Sequence, residues 1–223
     1  MKKNSDLLLK YSKAIAVFLL FILSLIIKYV YINQSVNSNS LLKELNIILI
    51  NLVFIFVFTV VFLKELKTDW AIFKNNIRKS FFVGLKYWLI GFGIMISLNF
   101  IANLINPTIS QNEEANRFVL GLLPFSTIFS FVIVTPFLEE VVFRLNIKNI
   151  TKRTWTYLLF SSLLFGLFHM ISGINNFIDI IHLLSYSSLA YVFALSYLKT
   201  KTIFTSIIFH AIHNMLGILI FLL

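Results

Sequence analysis

The chain of 223 residues contains no cysteine, and charged residues make up only 13% of it. The absence of cysteine excludes a disulfide, a thiolate metal site and a cysteine nucleophile. The sequence also has no H-E-x-x-H pattern and no serine motif typical of a covalent nucleophile. Its connections between apolar segments are too short to hold a second soluble domain. Any chemistry must therefore rely on a few other polar groups in an apolar chain.

Apolar residues dominate what is present. Hydrophobic residues make up 59% of the chain and its mean hydropathy is +0.90, whereas about half is usual for a soluble domain. Several apolar runs reach the roughly 20 residues that cross a bilayer. We therefore predict an all-α, polytopic membrane bundle that forms a single domain over residues 1–223. Its seven predicted spans are Ala14–Ile32, Leu45–Leu63, Phe81–Ile105, Phe118–Phe137, Trp155–Ile171, Phe177–Leu198 and Ile203–Leu223.

The basic residues are concentrated in alternate connections. Four lie at the N-terminus, five in the second connection, four in the fourth and two in the sixth, out of 19 in all. Because cytoplasmic loops carry the excess of lysine and arginine, the N-terminus is predicted to be cytoplasmic. The net charge of +10 is spread over short loops and not over one face, so no nucleic-acid partner is expected. Lys28 lies within the first span and is expected to snorkel to its edge.

One group of ionisable residues interrupts the apolar pattern, in the stretch E-E-V-V-F-R. A charge at the centre of a bilayer costs roughly 2.5–3.5 kcal/mol, so such residues usually face the interior of the bundle. Residues four apart share a helix face, so Glu140 and Arg144 are predicted to form an ion pair. Glu139 points elsewhere and remains available for another role.

Two later spans carry further polar side chains. His169 ends the stretch F-G-L-F-H, and H-A-I-H-N places His210 and Asn214 on one helix face; His182 is interpreted as structural. Polar groups on three helices are best satisfied if they meet in one cavity. In such a cavity Glu139 could act as general base on a water molecule, and His169 could hold that water or pass on its proton. His210 and Asn214 could donate to the oxyanion formed at a carbonyl.

In order and spacing, these stretches resemble the motifs of the CPBP family, the CAAX-protease and bacteriocin-processing (Abi) intramembrane endopeptidases. The family patterns are E-E-x-x-x-R, F-x-x-x-H and H-x-x-x-N or D, and the resemblance covers roughly residues 118–223. It implies a catalytic core there that hydrolyses a peptide bond without a cofactor. The roles it implies are water activation by Glu139 and His169, oxyanion stabilisation by His210 and Asn214, and structural support by Glu140 and Arg144.

The resemblance also implies a biological setting. Its bacterial members are linked to bacteriocin maturation, self-immunity and peptide-signal processing, so the expected substrate is a peptide or a membrane protein. The abundance of isoleucine, lysine, asparagine and phenylalanine resembles that of a low-GC bacterium. We therefore expect a multi-pass protein of a bacterial plasma membrane, with the lipid bilayer as its surroundings. The oligomeric state and the cleavage site stay open.

Three alternatives remain at this point. Glu139, His169 and His210 could instead be the carboxylate and two imidazoles of a zinc site with an open position, although Asn214 is a poor zinc ligand. A non-enzymatic immunity or scaffold protein could keep the same fold and act by binding. A proton-coupled transporter could use the same groups as a relay, but the inverted repeats typical of that class are not visible.

Overall fold

A computed structural model of the chain describes residues 2–34, 40–107, 109–171 and 173–222. Every secondary-structure element that these residues form is a helix. Leu223, with which the last predicted span ends, lies outside them. The α-helices are α1 (Lys2–Gln34), α2 (Ser40–Val61), α3 (Leu63–Asn75), α4 (Ile77–Ile105), α5 (Gln111–Leu122), α6 (Pro124–Phe129), α7 (Thr135–Glu140), α8 (Ile147–Ile150), α9 (Thr154–His169), α10 (Phe177–Thr200) and α11 (Ile203–Leu222).

Five described segments are long and apolar enough to cross a membrane: Leu8–Asn33, Ser40–Val61, Ile77–Ile105, Phe177–Thr200 and Ile203–Leu222. Many of their large apolar side chains are exposed on the outside of the bundle, as lipid-facing side chains are. The chain is therefore an all-helical, multi-pass membrane protein. The count of seven spans and the cytoplasmic N-terminus stay predictions.

The two other predicted spans have a different construction. The span predicted over Phe118–Phe137 is wrong at its beginning, because α5 ends at Leu122 and a new helix starts at Pro124. Proline is suited to the first turn of a helix, where its missing N–H has no partner to lose. From Pro124 the backbone stays helical through residue 150. The next span corresponds to α9, which at 16 residues is about 24 Å long.

The helix over residues 124–150, called here the motif helix, contains two wide π-helical segments, Ser130–Val134 and Val141–Asn146. In the first, the N–H of Thr135 donates to the carbonyl of Ser130 five residues earlier. Pro136 follows directly, and its ring would clash with a carbonyl four residues back in a regular helix. The wide turn accommodates this ring without ending the helix. The second segment follows the two glutamates, and such segments are frequent at functional sites.

The motif helix occupies the centre of the bundle. Residues 138–147 are all buried, and α1, α2, α9 and α11 pack around them. Phe143 shows how dense this packing is, because its ring contacts Phe18 and Phe21 of α1 and Phe165 and Phe168 of α9 at centroid distances of 5.4–5.8 Å. A helix buried on every side is the most constrained position that a bundle offers.

Two buried carboxylates from the first half of the chain cap helices of the second half. Glu44 of α2 accepts hydrogen bonds from the backbone N–H groups of Phe125 and Ser126, at the start of the motif helix. Asp69 of α3 accepts one from Ile203 N at 2.7 Å, at the start of α11. Anions are stabilising at helix N-termini. Burial raises the pKa of the Asp69 carboxyl, against the opposing effect of this hydrogen bond and of Lys148.

Candidate active site

The two adjacent glutamates of the motif helix have different surroundings. The expected ion pair is present: Arg144 Nε lies 3.1 Å from Glu140 Oε2, and both side chains are fully buried. The guanidinium also donates to the carbonyl of Ala190 at 3.4 Å and lies 4.5 Å above the ring of Phe165. Glu139 projects from a different side of the helix. Its Oε2 atom is buried and has no hydrogen-bond partner among the described residues.

His210 of α11 lies between these two carboxylates. Its Nδ1 is 2.9 Å from Glu140 Oε1, and its Nε2 is 3.6 Å from Glu139 Oε2. The contact with Glu140 is a hydrogen bond, whereas the distance to Glu139 is too long for one. Phe193 stacks on the imidazole with ring centroids 5.2 Å apart. The ring is therefore held through Nδ1, and Nε2 faces the free carboxylate.

His169 lies at the C-terminal end of α9. Its Nδ1 is 2.9 Å from the carbonyl oxygen of Phe165, one turn earlier in the same helix. In a neutral ring this bond places the proton on Nδ1 and the lone pair on Nε2. Glu139 and His210 both lie within electrostatic range of the ring. The structure thus brings together the carboxylate and both imidazoles expected from the sequence.

Asn214 is one turn beyond His210 on α11, and its Nδ2 donates to the carbonyl of Phe131 at 2.9 Å. Phe131 belongs to the first π-helical segment. The second segment has a matching partner, because Ser161 Oγ of α9 donates to the carbonyl of Phe143 at 2.6 Å. Wide turns leave carbonyls without a regular helical partner, and buried carbonyls need one. One amide hydrogen of Asn214 is used in this way and the other remains.

Comparison with known proteins places the motifs in one family. A family model described as "Type II CAAX prenyl endopeptidase Rce1-like" matches residues 121–216, which include all seven fixed residues of the three motifs. The protein named "Putative membrane peptidase YdiL" of Bacillus subtilis (strain 168) is 29% identical over 150 residues. The segment that carries the motifs is thus similar to a family of CAAX endopeptidases. The match covers 63% of this chain and 58% of the Bacillus protein, so the chain spans less than two thirds of that relative's length. No solved structure matches the chain at a significant level.

The residues of the site differ in how deeply they are buried. Glu140 and Arg144 are fully buried, and Glu139 is 5% exposed. His169 and Asn214 are half-buried. The ion pair is therefore the most enclosed part of the site, and His169 and Asn214 are less enclosed.

The arrangement offers a proton acceptor and hydrogen-bond donors, as hydrolysis requires. Glu139 supplies an unbonded carboxylate oxygen, His169 a free nitrogen and Asn214 a spare amide hydrogen. Among the described residues, no three His, Asp or Glu side chains converge closely enough to hold a metal ion. His210 Nδ1 is bonded to Glu140, so only its Nε2 could serve as a ligand. The zinc alternative thus lacks a preformed ligand set in this part of the chain.

Lys28 is a residue near the site whose role the sequence did not reveal. Val17, Phe21 and Ser24 form a stripe along α1 and are at most 3% exposed. Lys28 continues the stripe four residues later, and its ammonium lies within electrostatic range of Glu139. That Lys28 snorkels to the edge of the span stays a prediction. The three- and four-residue spacing is the signal that predicts its inward direction.

Proposed function

We propose that this chain is an intramembrane endopeptidase that hydrolyses a peptide bond with water activated by Glu139. The observation that carries the proposal is the position of His210 between two carboxylates. Arg144 neutralises Glu140, so Glu140 can hold the imidazole without itself reacting. Glu139 keeps an unbonded oxygen at the edge of the buried cluster. The family match and the named peptidase relative support the same class of reaction.

The proposed reaction gives each polar group of the site a role. Glu139 takes a proton from water, and the hydroxide oxygen bonds to the carbonyl carbon of the peptide. His210 Nε2–H and the free amide hydrogen of Asn214 donate to the resulting oxyanion. The carbon–nitrogen bond then breaks, and the proton returns from Glu139 to the departing amine. His169 Nε2 accepts a hydrogen bond from the water and orients it.

Both nitrogens of His210 face carboxylates, so both can donate only when the ring is protonated. The buried cluster then contains two anions, Glu139 and Glu140, and two cations, Arg144 and His210. Equal numbers of opposite charges lower the cost of burying such a cluster.

The decisive test is Glu139→Gln, which keeps the shape of the side chain and removes the base. Removal of a general base lowers a rate by about 10²–10⁴-fold. Membrane peptidomes of cells with wild-type protein and with the variant are compared, and peptides that depend on wild type identify substrate and cleavage site. Glu114→Gln, on the exposed face of α5, is the matched control. Equal peptidomes and an equal cellular phenotype at equal expression would support the non-enzymatic immunity or scaffold role instead.

A second measurement addresses the zinc alternative. The purified chain is exhaustively chelated, its metal content is determined, and cleavage of a peptide found in the peptidome experiment is assayed. We expect full activity in the metal-free preparation. Activity that disappears on chelation and returns with zinc would replace the glutamate mechanism by a metal-dependent one. We further propose that the substrates belong to bacteriocin or signal-peptide maturation, immunity or membrane-protein processing, in the plasma membrane of a bacterium.

A further inference from the structure

The imidazole of His169 lies between two aromatic rings. Phe165, from its own helix, stacks on one side with ring centroids 4.3 Å apart, and Tyr186 of α10 stacks on the other at 4.7 Å. Both stacks have an interplanar angle of 28°. Nearly parallel rings at these separations attract each other and restrict tilting. The hydrogen bond from Nδ1 to Phe165 O restricts rotation as well, so the ring is fixed in its plane.

The hydroxyl of Tyr186 is anchored to a separate segment. It lies 2.8 Å from Ser110 Oγ and 3.4 Å from Asn112 Nδ2. Ser110 is also the N-cap of α5, where its Oγ accepts a hydrogen bond from Glu113 N at 3.2 Å. One end of the tyrosine thus contacts the imidazole, and the other end is bonded to the start of α5.

These contacts leave one atom of His169 unbonded. Among the residues that the structure describes, none bonds Nε2. A buried histidine that serves only packing needs hydrogen-bond partners for its ring nitrogens. It does not need its ring to be held in one plane. A fixed plane with the basic nitrogen free is what a group that orients water requires. The stack with Tyr186 is the part of this arrangement that comes from another helix.

We propose that Tyr186 is a positioning residue for His169, and that Ser110 holds the tyrosine in place. The inference rests on the proposed proteolytic function, because it gives His169 its role there. It concerns a residue outside the three motifs, on a helix that carries none of them. Its contribution is to hold the tautomer and the plane of the imidazole, not to contact the substrate.

The test compares Tyr186→Leu, Tyr186→Phe and Ser110→Ala. We expect Tyr186→Leu to lower kcat roughly 10- to 100-fold with KM within about twofold of wild type, because a displaced catalytic group loses rate more than binding. Tyr186→Phe keeps the stacked ring but loses the anchoring hydroxyl, so kcat should fall only about two- to fivefold. Tyr191→Leu is the control, since Tyr191 is on the same helix and is 43% exposed.

A spectroscopic measurement separates positioning from stability and from the function itself. In histidine-labelled protein, ¹⁵N shifts report whether Nδ1 or Nε2 carries the proton, and His169→Gln assigns the signal. We expect the Nδ1–H form in wild type, the same form with a broadened signal in Tyr186→Phe, and a tautomer mixture in Tyr186→Leu. Unchanged shifts and kcat in Tyr186→Leu would overturn the proposal, as would equal losses in Tyr186→Phe and Tyr186→Leu.

Two further outcomes remain decisive. If Tyr186→Leu does not fold, Ser110→Ala should still broaden the His169 signal and lower kcat about two- to fivefold, and an unchanged signal there would refute the anchoring. If Glu139→Gln cleaves as well as wild type, the proposed function fails, whereas the ¹⁵N shifts of the tyrosine variants still decide whether Tyr186 holds the ring.

Discussion

Replacing Arg144 by methionine should lower the free energy of unfolding by about 3 kcal/mol. The side chains of Arg144 and Glu140 are both fully buried and their charged atoms are 3.1 Å apart. Removing one partner of a buried ion pair costs about 3–5 kcal/mol, because the other charge is left uncompensated. Glu140 would keep His210, whose Nδ1 lies 2.9 Å from Glu140 Oε1. We therefore expect the lower end of this range.

A double-mutant cycle isolates the interaction. Glu140→Gln leaves the guanidinium without a counter-charge and should cost about 4 kcal/mol, whereas Glu140→Gln with Arg144→Met removes both charges and should cost about 2 kcal/mol. The sum of the costs of the two single variants would then exceed the cost of the double variant by about 5 kcal/mol. Residues in direct contact depart from additivity in this way.

Thermal unfolding of the purified protein measures these effects. For a chain of this size 1 kcal/mol shifts Tm by about 2–4 °C, so Arg144→Met should lower it by about 6–12 °C. Arg117→Met is a matched control, because Arg117 pairs with Glu113 at the same four-residue spacing on an exposed helix. Surface pairs contribute at most about 1 kcal/mol. Equal Tm shifts in the two arginine variants, or additive costs in the cycle, would refute the reasoning.

Three more predictions concern the helices that hold the site. A Cβ at Gly166 would lie 2.1 Å from Ser187 Oγ, whereas one at Gly217 would meet nothing within 4 Å. Gly166→Ala should therefore cost about 1–3 kcal/mol in unfolding measurements, and Gly217→Ala should be neutral or stabilising by up to about 1 kcal/mol. Glu44→Gln should cost about 1 kcal/mol and lower proteolysis, since it removes the anion at the start of the motif helix. Asp69→Asn should have a similar cost at α11; unchanged Tm in either variant would show that these caps contribute little.

The polar residues of the site could be found from the sequence because lipid makes them conspicuous. Glu139, His169 and His210 stand out in apolar segments, and the cost of exposing them predicts that they meet. The ion pair of Glu140 with Arg144 followed from helical spacing alone. Both inferences need only local geometry and the knowledge that the chain is in a membrane.

The break before Pro124 could not be located in this way. The apolar pattern continues across residues 118–137, so hydropathy gives no boundary there. The carboxylate that caps the new helix comes from Glu44, about 80 residues earlier. Helix ends depend on such distant partners as much as on local sequence. For the same reason no pattern predicted that Tyr186 would stack on His169.

The first half of the chain carries no motif, yet the structure gives it a direct part in building the site. Glu44 of α2 caps the helix that holds Glu139, and Asp69 of α3 caps the helix that holds His210. The positions of the proposed base and of the proposed oxyanion donor thus depend on these two carboxylates. Since a displacement of about 1 Å can cost two orders of magnitude in rate, these two caps are coupled to catalysis through the placement of whole helices. In the proposed reaction, the segment without motifs is therefore part of the catalytic unit.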